Sequence, residues 1–171
     1  MVNMQYSHVE GLKSVSGGNT SHAEGQYTTA IGEGSHTEGV RTGADGFASH
    51  AEGASASTYG IASHAEGGKT VAYGSYSHVE GIGSQTNASY SHAEGYSTKT
   101  ENVAEHASGQ FNVSNSASTT FGDSGNTLFS VGNGTSSSAR HNAFEIRQNG
   151  DIYLSSGGTD IKLQDHLGGG G

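Results

Sequence analysis

Small and polar residues dominate this chain, and its apolar positions recur with a fixed period rather than in long runs. The pentapeptide Ser-His-x-Glu-Gly begins at Ser7 and returns every 14 residues, at positions 21, 35, 49, 63, 77 and 91. An eighth copy lies in register at 105–109, where the Ser and the Glu have exchanged places. So regular a period indicates a repeat architecture in which each unit packs on its neighbours.

A weaker half-repeat follows each pentapeptide by seven residues. Five copies place glycine there, at positions 18, 32, 46, 60 and 74, and the later copies place Ala88, Asn102 and Ser116. Glycine and asparagine suit turns, so each unit predicts two short strands with a turn after each. Helical repeats need about 33 residues or more. The period therefore predicts an all-β fold, a parallel β-roll or solenoid with one coil per repeat.

Strand alternation assigns the two faces of each coil. Successive side chains point to opposite faces, so the His and Glu of a pentapeptide share one face while the Ser and the middle residue share the other. The middle residues are predicted to fill the roll interior: Val9, Ala23, Thr37, Ala51, Ala65, Val79, Ala93 and Ala107. The outer face is predicted to carry a ladder at the interface of a trimer: His8, Glu10, His22, Glu24, His36, Glu38, His50, Glu52, His64, Glu66, His78, Glu80, His92, Glu94, Glu105 and His106.

The composition indicates that one chain does not stand alone. Only 30% of the residues are hydrophobic, and 29 are glycine. An interior of Ala and Ser gains little of the 1.5–3 kcal/mol or so that a large buried aliphatic side chain contributes. Ordering each residue costs about 1–2 kcal/mol of backbone entropy. We therefore expect an obligate homo-oligomer that buries its outer faces against sister chains.

Charge and residue usage exclude several kinds of partner and chemistry. The net charge of −9 argues against nucleic acid and against an anionic membrane surface. The chain has no Cys, which removes disulfides, thiolate metal sites and cysteine nucleophiles. No apolar run approaches the roughly 20 residues of a membrane helix, so no membrane insertion is expected, and Met1–Gln5 does not resemble a signal peptide.

The period ends near residue 117, and larger apolar residues follow. We predict a β-roll over 1–116, a small β cap and trimerisation region over 117–167, and a glycine tail over 168–171. Asn149-Gly150 between alternating runs predicts a hairpin. The Gly/Ser/Asn-rich stretch 125–138 is predicted to form turns and loop, and 159–167 is left open between a helix and a last strand.

The repeat resembles a known family. Tyr90-Ser91-His92-Ala93-Glu94-Gly95 is similar to the head repeat of YadA-type trimeric autotransporter adhesins, approximately Asn-Ser-Val-Ala-Ile-Gly with the same period, and Ala30-Ile31-Gly32 is closer still. The resemblance covers about residues 6–116. It implies a left-handed parallel β-roll, three chains around one axis and a role in surface attachment. Such repeats also occur in bacteriophage tail fibres, and 125–129, 142–146 and 150–154 resemble segments of phage tail proteins.

Three interpretations of the histidine column remain open. The imidazoles can bond Glu or Ser on neighbouring chains, bind a metal or anion on the trimer axis, or face outward toward a receptor. No resident cofactor is expected. A periodic column singles out no catalytic pair, so a non-enzymatic protein is expected.

The expected function is therefore a trimeric rod of a phage tail fibre, located on the virion and binding a host-cell receptor or glycan. The first alternative is the head of a bacterial adhesin at the cell surface. A polysaccharide-degrading phage enzyme is a further alternative.

Overall fold

The chain winds into about seven turns of a parallel β-solenoid with 14 residues per coil. The structure is a computed structural model that describes residues 6–115, 118–156 and 159–167. The predicted boundary between the β-roll and the cap, at 116/117, and the predicted glycine tail, 168–171, lie outside the described residues, as do residues 1–5. Over the described ranges no helix is long and apolar enough to cross a membrane.

Each coil contributes one strand to each of two sheets. The first, called here the histidine sheet, begins with strands β1 (His8–Val9), β3 (His22–Ala23), β5 (His36–Thr37), β7 (His50–Ala51), β9 (His64–Ala65), β11 (His78–Val79), β13 (His92–Ala93) and β15 (His106–Gln110). The second sheet contains β2 (Val15–Ser16), β4 (Thr29–Ala30), β6 (Gly43–Ala44), β8 (Ser57–Thr58), β10 (Val71–Ala72), β12 (Gln85–Thr86) and β14 (Lys99–Thr100).

The pairing register places every residue against its counterpart in the next coil. In the histidine sheet His50 pairs with His64, and in the second sheet Val71 pairs with Gln85. The backbone hydrogen bonds run in one direction, because the N–H groups of one coil donate to carbonyls of the next. The His50 N–H, for example, donates to the Ser63 carbonyl at 2.9 Å. The parallel solenoid predicted from the period is confirmed.

Small side chains and hydroxyls fill the interior. Seven of the eight middle residues named above, all except Val9, are fully buried, whereas Val9 in the first described coil is half exposed. Threonines join the predicted Ser and Ala in the core: Thr28, Thr42, Thr58, Thr70, Thr86 and Thr98 are fully buried. Pentapeptide serines bond locally, as when the Ser49 hydroxyl donates to the Gly46 carbonyl at 2.8 Å and accepts from Thr58 at 2.9 Å. Such bonds satisfy polar groups in the core.

Close contact between coils requires glycine at two positions of the repeat. A Cβ built on Gly46 would overlap the carbonyl oxygen of Gly60 in the next coil. Gly53 faces the carbonyl of Gly67 in the same way and also has a φ of +101°, a left-handed conformation that favours glycine. The repeated glycines therefore set the coil spacing.

The second sheet ends one coil before the histidine sheet, and two side chains close its edge. In ordinary coils the edge N–H groups donate to carbonyls of the next coil. At β14, the Lys99 N–H donates instead to Asn112 Oδ1 at 2.7 Å. The N–H groups of Glu101 and Asn102 donate to Glu105 Oε2 at 2.8 and 2.9 Å. Side-chain oxygens thus replace the carbonyls of a missing coil.

The C-terminal strands extend the histidine sheet. β16 (Thr127–Asn133) pairs in parallel with β15, and β17 (Asn142–Arg147), β18 (Ile152–Ser156) and β19 (Thr159–Lys162) follow as antiparallel strands. The Asn149-Gly150 hairpin between β17 and β18 is confirmed, with Gly150 at a φ of +85°. The expectation of loop over 125–138 is wrong for 127–133, because pairing on both sides overrides the turn-like composition. The open region after β18 holds both β19 and a short helix α1 (Gln164–Leu167).

Candidate interaction face: the histidine and glutamate columns

The imidazoles of the histidine sheet form one continuous stack on its outer face. Consecutive ring centroids lie 4.6–4.9 Å apart from His8 to His106. From His22 to His92 the neighbouring rings are nearly parallel, with interplanar angles of 2–20°. Phe129 of β16 contacts His106 edge-on at 5.2 Å and so takes the next position after the last imidazole. The strict register of two-residue strands produces this column.

A column of carboxylates runs beside the imidazoles. From the middle coils onward, each His Nε2 lies close to a Glu of the coil before, as His64 does to Glu52 Oε1 at 3.6 Å and His92 to Glu80 Oε1 at 3.5 Å. In the first two coils the close pair lies within one coil, His8 with Glu10 and His22 with Glu24. These separations of 3.5–3.8 Å exceed an ordinary hydrogen bond of about 2.7–3.2 Å.

The column leaves a row of ring nitrogens without hydrogen bonds. Seven Nε2 atoms are shielded from solvent and bond no described residue: those of His22, His36, His50, His64, His78, His92 and His106. The rings themselves stay partly exposed, with about a third of the His92 side chain open to solvent. Buried polar atoms normally find a partner. This face is therefore chemically incomplete within one chain.

The environment disfavours the protonated form of several imidazoles. Burial lowers the pKa of His50, His64 and His92 below the ordinary 6.5, and the neighbouring imidazoles lower it further. A row of stacked rings cannot protonate freely, because each added cation would face another at less than 5 Å.

The pKa values of the carboxyls are lowered and raised in alternation along their column, from Glu38 to Glu80. Hydrogen bonds from the carboxyls of neighbouring coils raise the pKa of Glu52 and Glu80 to about 7, while the same bonds lower the pKa of Glu38 and Glu66. Adjacent carboxyls thus share protons, one neutral group donating to its ionised neighbour. Together with the glycine of each pentapeptide, the carboxyls line a shallow groove along the rod.

Glu105 does not belong to this column, contrary to the sequence-based ladder. Its side chain is 1% exposed and lies at the closed edge of the second sheet, where Ser114 Oγ also donates to Oε1 at 2.7 Å. The exchange in the eighth repeat puts Glu at the inward position of the pentapeptide and Ser108 at the outward one. Burial raises the pKa of Glu105 to about 7. The other predicted ladder residues lie on the outer face of the histidine sheet.

Exposed aromatic rings stacked in short rows form a second surface. Tyr59 and Tyr73 occupy the same repeat position and stack at 5.2 Å, and Tyr76 and Tyr90 do so at 5.4 Å. Phe121 extends the second pair, 5.5 Å from Tyr90. All five rings are at least half exposed. The 14-residue spacing within each pair is the signal that could have revealed these rows.

Among the described residues, the candidate metal ligands are His and Glu side chains of the two columns. Four groups have ligand atoms within 4.8 Å of one another: His36–Glu38–His50, His50–Glu52–His64, His64–Glu66–His78 and Glu80–His92–Glu94.

Comparison of the chain with protein-family models, curated proteins and solved structures finds no match.

Proposed function

We propose that three copies of this chain associate along the histidine and glutamate columns to form a rigid, non-enzymatic rod of an attachment organelle, a bacteriophage tail fibre. The observation that carries the proposal is the row of buried Nε2 atoms without hydrogen bonds. A sister chain can supply the missing donors and acceptors, and the regular spacing repeats the same contact at every coil. Chains joined this way hold a common register.

The thin interior supports association. Apart from Val79, the fully buried apolar side chains of the coils are alanines. Such a core gains little free energy from burial, so burying the half-exposed outer faces against sister chains would add stabilisation that one chain lacks. The left-handed winding and the threefold axis of the proposed assembly are those that the YadA-type resemblance implies.

Repetition supports a scaffold rather than a catalytic centre. Near-identical rungs of His and Glu stand one coil apart, and the same His–Glu pairing recurs in four successive coils from His64 to His106. The exposed tyrosine pairs give each chain a repeated surface for a host-cell receptor or glycan. A rod with three copies of such a surface binds by avidity, which raises weak single contacts. The strands after β15 act in this proposal as the cap that closes the rod.

The test compares two variants that change the same three coils on opposite sheets. His50→Ala/His64→Ala/His78→Ala removes three imidazoles from the proposed interface. Ser57→Ala/Val71→Ala/Gln85→Ala changes the outward position of the second sheet and is the matched control. Light scattering should give the control the mass of the wild-type trimer and the histidine variant the mass of one 17.4 kDa chain. A histidine variant with unchanged mass and unchanged melting would refute the proposed interface.

A further inference from the structure

The distance between the two columns fits a ligand better than it fits direct contact. In four successive rungs a His Nε2 and the Glu Oε1 of the coil before stand 3.5–3.8 Å apart: His64 with Glu52, His78 with Glu66, His92 with Glu80, and His106 with Glu94. A hydrogen bond between these atoms would need about 2.7–3.2 Å. The four gaps agree within 0.3 Å, so the spacing is a property of the repeat.

Two ligands of one tetrahedral metal ion have nearly this separation. Bonds of about 2.0–2.2 Å from Zn²⁺ to imidazole nitrogen and carboxylate oxygen place the two ligand atoms about 3.4 Å apart. Each rung therefore needs to close by only a few tenths of an ångström to hold an ion. Neutral imidazole is the form that binds metals.

We propose that these four rungs form a row of binding sites for divalent transition-metal ions of the Zn²⁺ class, each site using one His Nε2 and one Glu Oε1 from adjacent coils. The rings of His64, His78 and His92 lie at 4–15° to their neighbours and direct their lone pairs nearly in parallel, so each ion is assigned one imidazole; the His106 ring is tilted by 31°. Water completes each ion's coordination in a single chain. In the proposed trimer a side chain of a sister chain does so, and only this point of the inference rests on the proposed function.

Occupancy follows from the spacing of the rungs. Adjacent sites are separated by one coil, 4.7–4.8 Å between ring centroids. Two dications at that distance repel strongly, whereas ions on alternate rungs are twice as far apart. We therefore expect about two ions per chain. Hard ions such as Mg²⁺ prefer all-oxygen shells and should not compete.

Titration with Co²⁺ tests the sites, because tetrahedral Co²⁺ absorbs visible light far more strongly than the hydrated ion. The wild-type chain at pH 7.5 should develop the tetrahedral spectrum and saturate near two equivalents, and Zn²⁺ should displace the Co²⁺. A tenfold excess of Mg²⁺ should leave the spectrum unchanged. At pH 5.5, protons should compete with the ion for its ligand groups and weaken binding by roughly a factor of a few.

Two variants and one control locate the ions. His64→Gln/His78→Gln/His92→Gln and, separately, Glu52→Gln/Glu66→Gln/Glu80→Gln should each lose about half of the spectrum, because only the His106–Glu94 rung remains. The glutamate variant retains the imidazole stack. His166→Gln changes a histidine outside the column and should bind like wild type. A hydrated-ion spectrum in the wild type, or a triple variant that binds as much Co²⁺ as the wild type, would overturn the proposal. Molar mass measured with and without Zn²⁺ tests the trimer separately. A trimer that binds no ions would refute only the metal sites, and a monomer that binds ions would refute only the proposed trimer.

Discussion

Substituting Glu105 by Ser restores the repeat's own consensus and is nevertheless expected to destabilise the protein. Seven other copies of the pentapeptide carry Ser at this position. A serine hydroxyl there bonds its own turn, as Ser91 does with the Ala88 carbonyl at 2.7 Å. It cannot reach the N–H groups of Glu101 and Asn102, which Glu105 Oε2 accepts at 2.8 and 2.9 Å.

The magnitude follows from the two groups left without an acceptor. Each N–H that loses its partner costs about 1–3 kcal/mol, so the loss of two should lower the free energy of unfolding of Glu105→Ser by about 2–6 kcal/mol. For a chain of this size that corresponds to a fall in Tm of roughly 4–24 °C. Thermal unfolding followed by circular dichroism at pH 5.5, where Glu105 is mostly protonated, gives the cleanest comparison. Amide hydrogen exchange should also accelerate at Glu101 and Asn102.

A matched control is provided by the other half of the exchange. Ser108→Glu restores the consensus at a half-buried outward position and should change stability by no more than about 0.5 kcal/mol. If Glu105→Ser melts at or above the wild-type temperature, the edge closure by Glu105 is refuted. A loss of stability in Ser108→Glu as large as that in Glu105→Ser would point instead to a general sensitivity of the eighth repeat.

Four further changes test other parts of the structure. Glu105→Gln keeps an accepting oxygen but cannot ionise. Because the pKa of Glu105 is about 7 in the folded state and 4.5 ordinarily, the wild type loses stability as the pH rises through that interval. The variant should therefore melt at a higher temperature than the wild type at pH 8 and at the same temperature at pH 5. Asn112→Ala removes the acceptor of the Lys99 N–H and should cost about 1–3 kcal/mol, read by urea unfolding. Gly46→Ala should unfold the coils, since its Cβ would strike the next coil's carbonyl, whereas Gly43→Ala meets only a hydroxyl at 3.8 Å and should be neutral or stabilising in the same assay. His50→Gln should reduce the loss of stability as pH falls below 6.5, because the lowered pKa of His50 leaves the folded state with fewer bound protons than the unfolded one; equal Tm profiles between pH 5 and 8 would contradict this.

The solenoid could be predicted because its period is unbroken. A 14-residue repeat without insertions leaves each residue facing its own counterpart, as His36 faces His50, and strand alternation then sorts inward from outward positions. The outward position of the columns and the small interior both follow from that rule. The stacking of the imidazoles is its direct geometric result.

The end of the repeat could not be predicted by the same rule. Periodicity assigns one role to one position, yet the eighth copy has no following strand in the second sheet over the described residues, so Glu105 closes an edge instead of joining the ladder. The exchange of Ser and Glu is visible in the sequence, but its role depends on β14 being the last strand of the second sheet, whose edge Glu105 closes.

Composition misled the prediction at β16. Gly, Ser and Asn around 125–138 are typical of turns, but parallel pairing with β15 and antiparallel pairing with β17 hold 127–133 extended. Neighbouring strands, rather than local preference, decide such segments. The tyrosine rows leave a weaker signal in the sequence, because each row contains only two tyrosines one period apart.

The most direct test of the proposed assembly is the molar mass of the unmodified chain in solution, measured by sedimentation equilibrium at several concentrations. Association along the columns predicts a single species of three times 17.4 kDa. A folded, β-rich species of one chain's mass across the same concentrations would contradict it.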